Sequence, residues 1–261
     1  MELLDHGYLK FVESWGGDES IVEAARMSTG KGFLGWGPVK HCIACGWDSQ
    51  KGSAPRDGGQ CPNCSASQTL LERPGDEKLL AYLYDHKHAT PFEMAGMVVE
   101  VQAPIFVFRE WHRHRTQSYN EMSARYTPLP DVNYIPTVER LLVNSKTNKQ
   151  AGTIKGSAEL TEGQAEWFRD VLADTYRQQE FLYQTALQSG IPKELARIHL
   201  PVGRYSRMRA SANLRNWLAF LTLRMSPDAQ WEIRQYANAL GALVETKFPR
   251  VWTVFCGSGK N

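Results

Sequence analysis

The chain has 261 residues, of which 42% are hydrophobic and 22% are charged, a balance typical of a soluble protein with one large domain or two small ones. Its formal net charge of +2 excludes a global positive field that would attract nucleic acid or an anionic membrane, so any anion site must be local. No apolar run approaches the roughly 20 residues that a membrane-spanning helix needs, and the N-terminus lacks the pattern of a signal peptide, so we expect a cytoplasmic protein.

The N-terminal part predicts a strand and a short helix. Residues 1–12 alternate loosely between apolar and polar side chains, as in an edge strand. Apolar residues from Ile21 to Met27 recur at helical spacing, with Asp18 or Ser20 as a possible N-cap, and we expect this helix to end at Gly30.

Residues 30–76 lack periodicity and contain four of the five cysteines in two close pairs. The four are Cys42, Cys45, Cys61 and Cys64. Two CxxC turns separated by fifteen residues are typical of a structural zinc site, in which four thiolates close a tetrahedron. A redox dithiol and an iron–sulfur centre are the alternatives. Residues 38–68 are therefore predicted to be an inserted zinc-ribbon-like module that needs its metal to fold, because it has little apolar content.

The middle of the chain predicts a helix, a strand and a second helix. Residues 77–88 place leucines on one face of a helix that ends before Pro91. Residues 96–103 are rich in β-branched side chains and predict a strand. Pro104 then opens a further helix that continues to His114.

This second helix delivers a strongly polar segment, residues 113–126, with the sequence Arg-His-Arg-Thr-Gln-Ser-Tyr-Asn-Glu-Met-Ser-Ala-Arg-Tyr. Its three arginines supply planar forks of donors that suit phosphates and other anions. Asn120 and Glu121 add an amide and a carboxylate that can recognise the edge of a ring. A solvated charged loop is the alternative interpretation.

The C-terminal half predicts mainly helices. Residues 140–160 are polar and rich in Gly, Ser and Lys, which is typical of an exposed, mobile connection. The expected elements are a long helix over 161–188, a short helix over 193–199, a strand over 202–211 and an apolar helix over 213–225. A last long helix is expected to begin at Ser226 as its N-cap. Cys256 lies in a glycine-flanked tail, so a cysteine nucleophile has little support.

Arginines that the core pattern does not explain recur at or near element ends. They are Arg113, Arg115, Arg125, Arg197, Arg215 and Arg224. Arg224 ends an otherwise apolar helix, where a charge without a partner would be costly. The sequence has no P-loop, no GxGxxG after a strand and no evident Ser-His-Asp set. We therefore expect side-chain forks to converge on a polyanionic small ligand such as a nucleotide.

The polar segment also contains RHR followed, after seven residues, by a serine. Here Arg113, His114 and Arg115 precede Ser123. Together with its flanks at 88–93, 103–106, 196–201, 213–215 and 223–232, this ordered set resembles the flavin-dependent thymidylate synthase family. The similarity covers residues 1–28 and 77–250.

The resemblance implies methylation of dUMP to dTMP, with 5,10-methylenetetrahydrofolate as the carbon donor and NADPH reducing a bound FAD. It implies an α+β fold with a mainly antiparallel sheet and long helices, in a single catalytic domain over residues 1–261 that carries the inserted zinc ribbon. It also implies a homotetramer whose active sites are shared between subunits.

The resemblance assigns roles to individual residues. Those expected to contact FAD are Ser28, Thr90, Arg113, His114, Arg115, Asn120, Glu121, Asn213 and Arg215. Those expected to hold dUMP are Glu110, Arg113, Glu121, Ser123, Arg125, Arg197 and Arg224. Arg224 is the expected catalytic residue, because its charge at the uracil edge would favour the N3-deprotonated or enolate form and so polarise C5.

Three positions depart from the family's pattern. Glu110 stands where the family often has glutamine, Ala219 replaces a flavin-side asparagine, and Asp228 replaces a flavin-side histidine. Glu110 and Asp228 motivate one alternative, a flavin-dependent hydroxymethylase of pyrimidine nucleotides on the same scaffold. A nucleic-acid-binding protein that uses the ribbon is a second alternative, and the near-neutral charge argues against it.

Overall fold

The computed structural model describes residues 1–49, 60–143, 152–154 and 157–258. The chain divides into two compact units. Unit 1 comprises Met1–Glu13, Met97–Ala212 and Asn216–Leu243, and unit 2 comprises Ser14–Gly96, Asn213–Arg215 and Val244–Asn261. Among the described residues, no helix is both long and apolar enough to cross a membrane.

The strands are β1 (Glu2–Leu3), β2 (Gly7–Trp15), β3 (Val39–Cys42), β4 (Leu70–Arg73), β5 (Gly96–Pro104), β6 (Ser118–Glu121) and β7 (Tyr205–Asn213). The helices are α1 (Asp18–Arg26), α2 (Glu77–Asp85), α3 (Ile105–Trp111), α4 (Val138–Leu142), α5 (Glu162–Gln188), α6 (Lys193–Ala196), α7 (Leu214–Arg224), α8 (Trp231–Lys247) and α9 (Pro249–Ser258). Short 3-10 turns occur at Met27–Thr29, Thr90–Glu93 and Arg197–His199.

Five strands form one sheet in the order β1-β2-β5-β7-β6, and β3 pairs with β4 in a separate two-stranded sheet. The pairs β1–β2, β3–β4 and β6–β7 are antiparallel. The predicted α+β architecture with an antiparallel sheet and long helices is therefore confirmed.

An aromatic cluster between α3 and α7 forms part of the core of unit 1. The Trp111 and Phe220 rings lie 4.6 Å apart between centroids, and both are fully buried. Trp217 is also fully buried, and its indole N–H donates to the Met97 carbonyl at 3.0 Å, so the one polar atom of the ring has a partner. This packing fixes α7 beside α3 and so determines where the last residue of α7 lies.

In unit 2, the buried carboxylate of Asp18 links α1 to α9. Asp18, at the start of α1, accepts hydrogen bonds from the backbone N–H groups of Arg250 at 2.9 Å and Val251 at 3.3 Å. It therefore satisfies donors at the N-terminus of α9 that have no partner within the helix. Burial raises the pKa of Asp18, and the two backbone donors oppose that shift.

Three sequence expectations need correction. Cys256 does not lie in an irregular tail but in α9, which the Asp18 carboxylate caps across the unit. The last long helix begins at Trp231, because Ser226 closes a turn by accepting the backbone N–H of Asp228 at 3.3 Å. The helix before the polar segment ends at Trp111, well before the expected His114.

The connection expected over 140–160 lies partly outside the described residues. Its described beginning belongs to α4, in which Thr137 caps the helix by accepting the backbone N–H of Arg140 at 3.2 Å. The polar segment 113–126, for which a solvated loop was the alternative interpretation, contributes the edge strand β6. The register of this strand pairs Asn120 with Arg209 and Glu121 with Met208.

Candidate functional site

Arg224 is the last residue of α7, and its guanidinium is held from three directions. Nη1 donates to Oε2 of Glu110 at 2.9 Å, Nη2 donates to the Glu110 backbone carbonyl at 2.8 Å, and Nε donates to Nε2 of His114 at 2.9 Å. The side chain is only 15% exposed. These bonds fix the plane of the guanidinium, and two of its five N–H groups make no hydrogen bond to the described residues.

His114 is neutral in this arrangement. Its Nε2 accepts the hydrogen bond from Arg224, so the proton of the imidazole must lie on Nδ1. The ring packs edge-on against Phe220, with 4.8 Å between centroids. Burial, followed by the charge of Arg224, lowers the pKa of His114 to about 4, and Glu110 only partly opposes this shift.

Glu110 links two arginines. Its Oε2 accepts from Arg224, and its Oε1 lies 3.7 Å from Nε of Arg113. The pair with Arg113 contributes little to stability, because the Arg113 side chain is 73% exposed. Arg113 is therefore available for a ligand, whereas Arg224 is fixed by the protein.

The polar segment continues into β6 and a tight turn. Glu121 ends β6 with its side chain exposed. In the turn, the Ser123 hydroxyl accepts the backbone N–H of Arg125 at 3.3 Å, and Nε of Arg125 donates to Oε2 of Glu194 at 3.1 Å. Both side chains of that ion pair are more than half exposed, so an anion could displace Glu194 from Arg125 at small cost.

A cavity of about 310 Å³ opens beside this turn, a size within the usual range for small-ligand sites. Its lining includes Glu121, Arg197 and Glu194. Ser206 also lines it, is only 1% exposed, and has a hydroxyl without a hydrogen-bond partner among the described residues. A buried polar atom of this kind requires a partner, which a bound ligand could supply.

Ser206 is a candidate that sequence reasoning missed. The alternation of β7 places it on the same buried face as Met208, Ala210 and Ala212. A polar residue in phase with apolar residues was the available signal.

Four residues of the proposed FAD set belong to unit 2, namely Ser28, Thr90, Asn213 and Arg215. Arg215 is tied to the 3-10 turn that begins at Thr90, because its Nη1 donates to the Glu93 carboxylate of that turn. Ser28 is exposed, and its hydroxyl donates to the Ala25 carbonyl at 2.9 Å. The other members belong to unit 1, namely Arg113, His114, Arg115, Asn120 and Glu121. Of these five, only His114 is not exposed.

The structure brings the four paired cysteines into one cluster. The sulfur of Cys42 lies 3.7 Å from that of Cys64, and Cys45 and Cys61 are 3.6 Å apart by the same measure. All four sulfur atoms lie within 4.8 Å of one another. A tetrahedral zinc site with bonds of about 2.3 Å has sulfur–sulfur edges of about 3.8 Å, so this donor set fits one such ion. Its four sulfurs leave no ligand position for water, which is typical of a structural metal.

Comparison with known proteins identifies the family. Residues 10–250 match the family described as thymidylate synthase complementing protein, Thy1. A flavin-dependent thymidylate synthase of Thermus thermophilus is 35% identical over 253 residues, which cover 97% of this chain and 77% of that protein. The Thermosipho melanesiensis enzyme of the same name is 34% identical over 252 residues, covering 97% and 90%.

Two solved crystal structures are also similar to this chain. The crystal structures of the UMP/dUMP methylase PolB from Streptomyces cacaoi, bound with 5-Br UMP and with 5-Br dUMP, both align with a TM-score of 0.71. Sequence identities are 27% and 29%, and the alignments cover 98% of this chain and 96% and 97% of the PolB chains.

These matches define the chain as an enzyme on a mixed helix and antiparallel-sheet fold. It belongs to the flavin-dependent thymidylate synthase family. The family resemblance drawn from the RHR segment is thus confirmed.

We expect His114 to stay neutral from pH 8 down to about pH 5 and to become charged only near its folded-state pKa of about 4. Between that value and the unfolded pKa of about 6.5, the unfolded chain binds more protons, so this residue lowers stability as the pH falls through that window. NMR of the imidazole against pH measures this titration. A midpoint near 6.5 would contradict the burial and pairing described here.

Proposed function

We propose that this enzyme methylates dUMP to dTMP, with 5,10-methylenetetrahydrofolate as the carbon donor, NADPH as the reductant and FAD as the bound cofactor. The observation that carries the proposal is the fixed guanidinium of Arg224, which ends α7 with two N–H groups available. A preorganised cation of this kind stabilises negative charge that develops on a substrate. The names of the similar proteins support the choice of dUMP as that substrate.

The substrate set separates into a base end and a phosphate end. At the base end, Arg224 would donate to the uracil edge and favour the enolate form, which makes C5 nucleophilic. Arg113, Ser123, Arg125 and Arg197 supply the forks and the hydroxyl that suit a phosphate. Glu121 lines the same cavity as Arg197, and its carboxylate would accept a hydrogen bond from the nucleotide bound there.

The donors proposed for FAD also fit their ligand. The set combines arginines, amides and hydroxyls, which match the pyrophosphate and the polar edge of the flavin ring. Its members are Ser28, Thr90, Arg113, His114, Arg115, Asn120, Glu121, Asn213 and Arg215. When bound and reduced by NADPH, FAD supplies the hydride that completes the methyl group.

No cysteine is proposed as a nucleophile. Cys256 is the only cysteine outside the cluster, and partial burial raises the pKa of its thiol. A thiol with a raised pKa provides less of the reactive thiolate. Activation of the base therefore falls to Arg224 and not to a covalent bond with the protein.

We further propose a cytoplasmic homotetramer with shared active sites. Assembly is supported by large apolar side chains that α5 leaves exposed, namely Trp167 at 65%, Phe168 at 42%, Phe181 at 74% and Leu182 at 53%. Large apolar side chains exposed along one helix are typical of a surface that contacts another protein chain.

Glu110 favours one second candidate, hydroxymethylation of a pyrimidine nucleotide. Its carboxylate contacts Arg224 directly and reduces the positive charge that the base would experience. On a less polarised base, water could add to the methylene carbon received from methylenetetrahydrofolate, so that tetrahydrofolate leaves and a hydroxymethyl group remains on C5 without transfer of a hydride. Asp228, which replaces a flavin-side histidine of the family, is exposed and points to the same candidate.

Mass analysis of the product distinguishes the two candidates. Purified protein is incubated with FAD, NADPH, carbon-labelled methylenetetrahydrofolate and dUMP, with UMP in a parallel reaction because PolB is named for both nucleotides. We expect labelled dTMP. Labelled hydroxymethyl-dUMP would establish the second candidate instead. Bound FAD without any labelled nucleotide would contradict both.

We also propose that the four clustered cysteines bind one structural zinc ion. Metal analysis of the purified chain should give one zinc per protein molecule. Cys45→Ser should lose the metal, because it removes one of the four sulfur ligands, whereas Cys256→Ser should retain it. A folded wild-type protein without zinc would contradict the proposal.

A further inference from the structure

We call Val39–Arg73 the cysteine module. The segments on its two sides, residues 35–37 and 75–77, lie against each other, and we call this contact the neck. The backbone N–H of Asp76 donates to the Gly35 carbonyl at 2.9 Å, and that of Gly37 donates to Oε1 of Glu77 at 2.6 Å. A Cβ atom on Gly75 would lie 2.2 Å from the Gly37 carbonyl oxygen. The two backbones are therefore in direct contact, and movement of one must displace the other.

At the neck, the Asp76 carboxylate links Arg26 to Leu34 and so closes the loop between them. Asp76 is fully buried, and its Oδ1 accepts hydrogen bonds from Nε of Arg26 at 3.0 Å and from Nη2 of the same guanidinium. Its Oδ2 accepts the backbone N–H of Leu34 at 2.7 Å. The two oxygens thus hold both ends of the segment 26–34. Ser28, one of the residues proposed to contact FAD, lies within that segment.

A second tether fixes the neck from the other side. The indole N–H of Trp36 donates to Oε1 of Glu19 at 3.0 Å, and the Arg250 guanidinium lies 4.4 Å from the centroid of the Trp36 ring. Nη1 of Arg250 also donates to Oε1 of Glu77 at 3.1 Å. Side chains of α1, α2 and α9 therefore all contact the neck.

The cysteine module itself has little apolar interior. Among its described residues, the buried apolar side chains are Val39, Cys42 and Cys61. Two of these three are proposed metal ligands, so the described part of the module depends on zinc for much of its internal packing. The register of β3 and β4 runs from Val39 opposite Arg73 to Cys42 opposite Leu70, and Arg73 lies three residues before Asp76.

We propose that zinc in the cysteine module fixes the position of Asp76, and that Asp76 in turn holds the 26–34 loop in the conformation that binds the flavin. The metal thereby sets FAD affinity without touching the cofactor. The dependence of the loop on zinc follows from the contacts at the neck, whereas its effect on FAD rests on the proposed function through Ser28.

Hydrogen exchange tests the mechanical part without any cofactor. The full-length protein is compared with zinc bound and after removal of zinc by a chelator. We expect backbone amides of residues 27–34 to exchange at least about tenfold faster without the metal, because the loop opens locally. Amides of β5, which belongs to the large sheet, should exchange at an unchanged rate and serve as the internal control. Unchanged exchange in 27–34 after complete zinc loss would overturn the proposal.

FAD titration tests the functional part. Cys45→Ser should weaken FAD binding by about tenfold, because binding must then also order the loop, whereas Cys256→Ser should bind FAD as wild type does. Asp76→Asn should weaken FAD binding while it retains zinc, which separates the clamp from the metal. If Asp76→Asn fails to fold, Arg26→Gln removes the other half of this ion pair, leaves the cysteines intact and tests the same step.

The outcomes separate this inference from the proposed function. Equal FAD affinity with and without zinc would overturn the link between the metal and the flavin, and would leave the proposed reaction standing. A wild-type protein that holds zinc but binds no FAD would overturn the proposed function and the role of Ser28 together.

Discussion

The structure of the candidate site depends on how one guanidinium at the end of an apolar helix obtains its partners. Arg224 is mostly buried, and an arginine in such a place is costly unless its charge and donors are matched. Glu110 supplies the charge and a carbonyl, and His114 supplies a neutral ring nitrogen. Trp111 packs against Phe220 between α3 and α7, and His114 packs against the same Phe220 ring, so these contacts bring the partners to Arg224. Packing in the core thus determines the direction in which the remaining N–H groups point.

A carboxylate also holds an arginine at the neck of the cysteine module. There the buried Asp76 carboxylate holds Arg26 and the backbone of Leu34, as Glu110 holds Arg224 in unit 1. In both places an acidic residue immobilises an arginine and gives a nearby polar segment a defined shape. An arginine side chain is flexible, but its guanidinium takes one fixed position once two or three of its N–H donors have partners.

Local patterns predicted most of the fold, and contacts between distant residues account for what they missed. The long helix α5 and the strand β5 were expected within a residue or two, because their periodicity is strong. The cysteine cluster was expected from spacing alone. The helix α9 was missed because its cap comes from Asp18, more than two hundred residues earlier. The partners of Glu110 and the unsatisfied hydroxyl of Ser206 could not be predicted, since both depend on which side chains tertiary packing brings near.

A double-mutant cycle between Glu110 and Arg224, measured as kcat/KM for dUMP, tests the central claim most directly. Arg224→Ala should reduce turnover by about a hundredfold or more, because it removes the fixed charge at the base. Glu110→Ala should reduce turnover in the wild-type background, where it releases Arg224, and have little effect once Arg224 is absent. The account predicts a coupling energy of about 0.5–3 kcal/mol, and effects that add to within about 0.5 kcal/mol would contradict it.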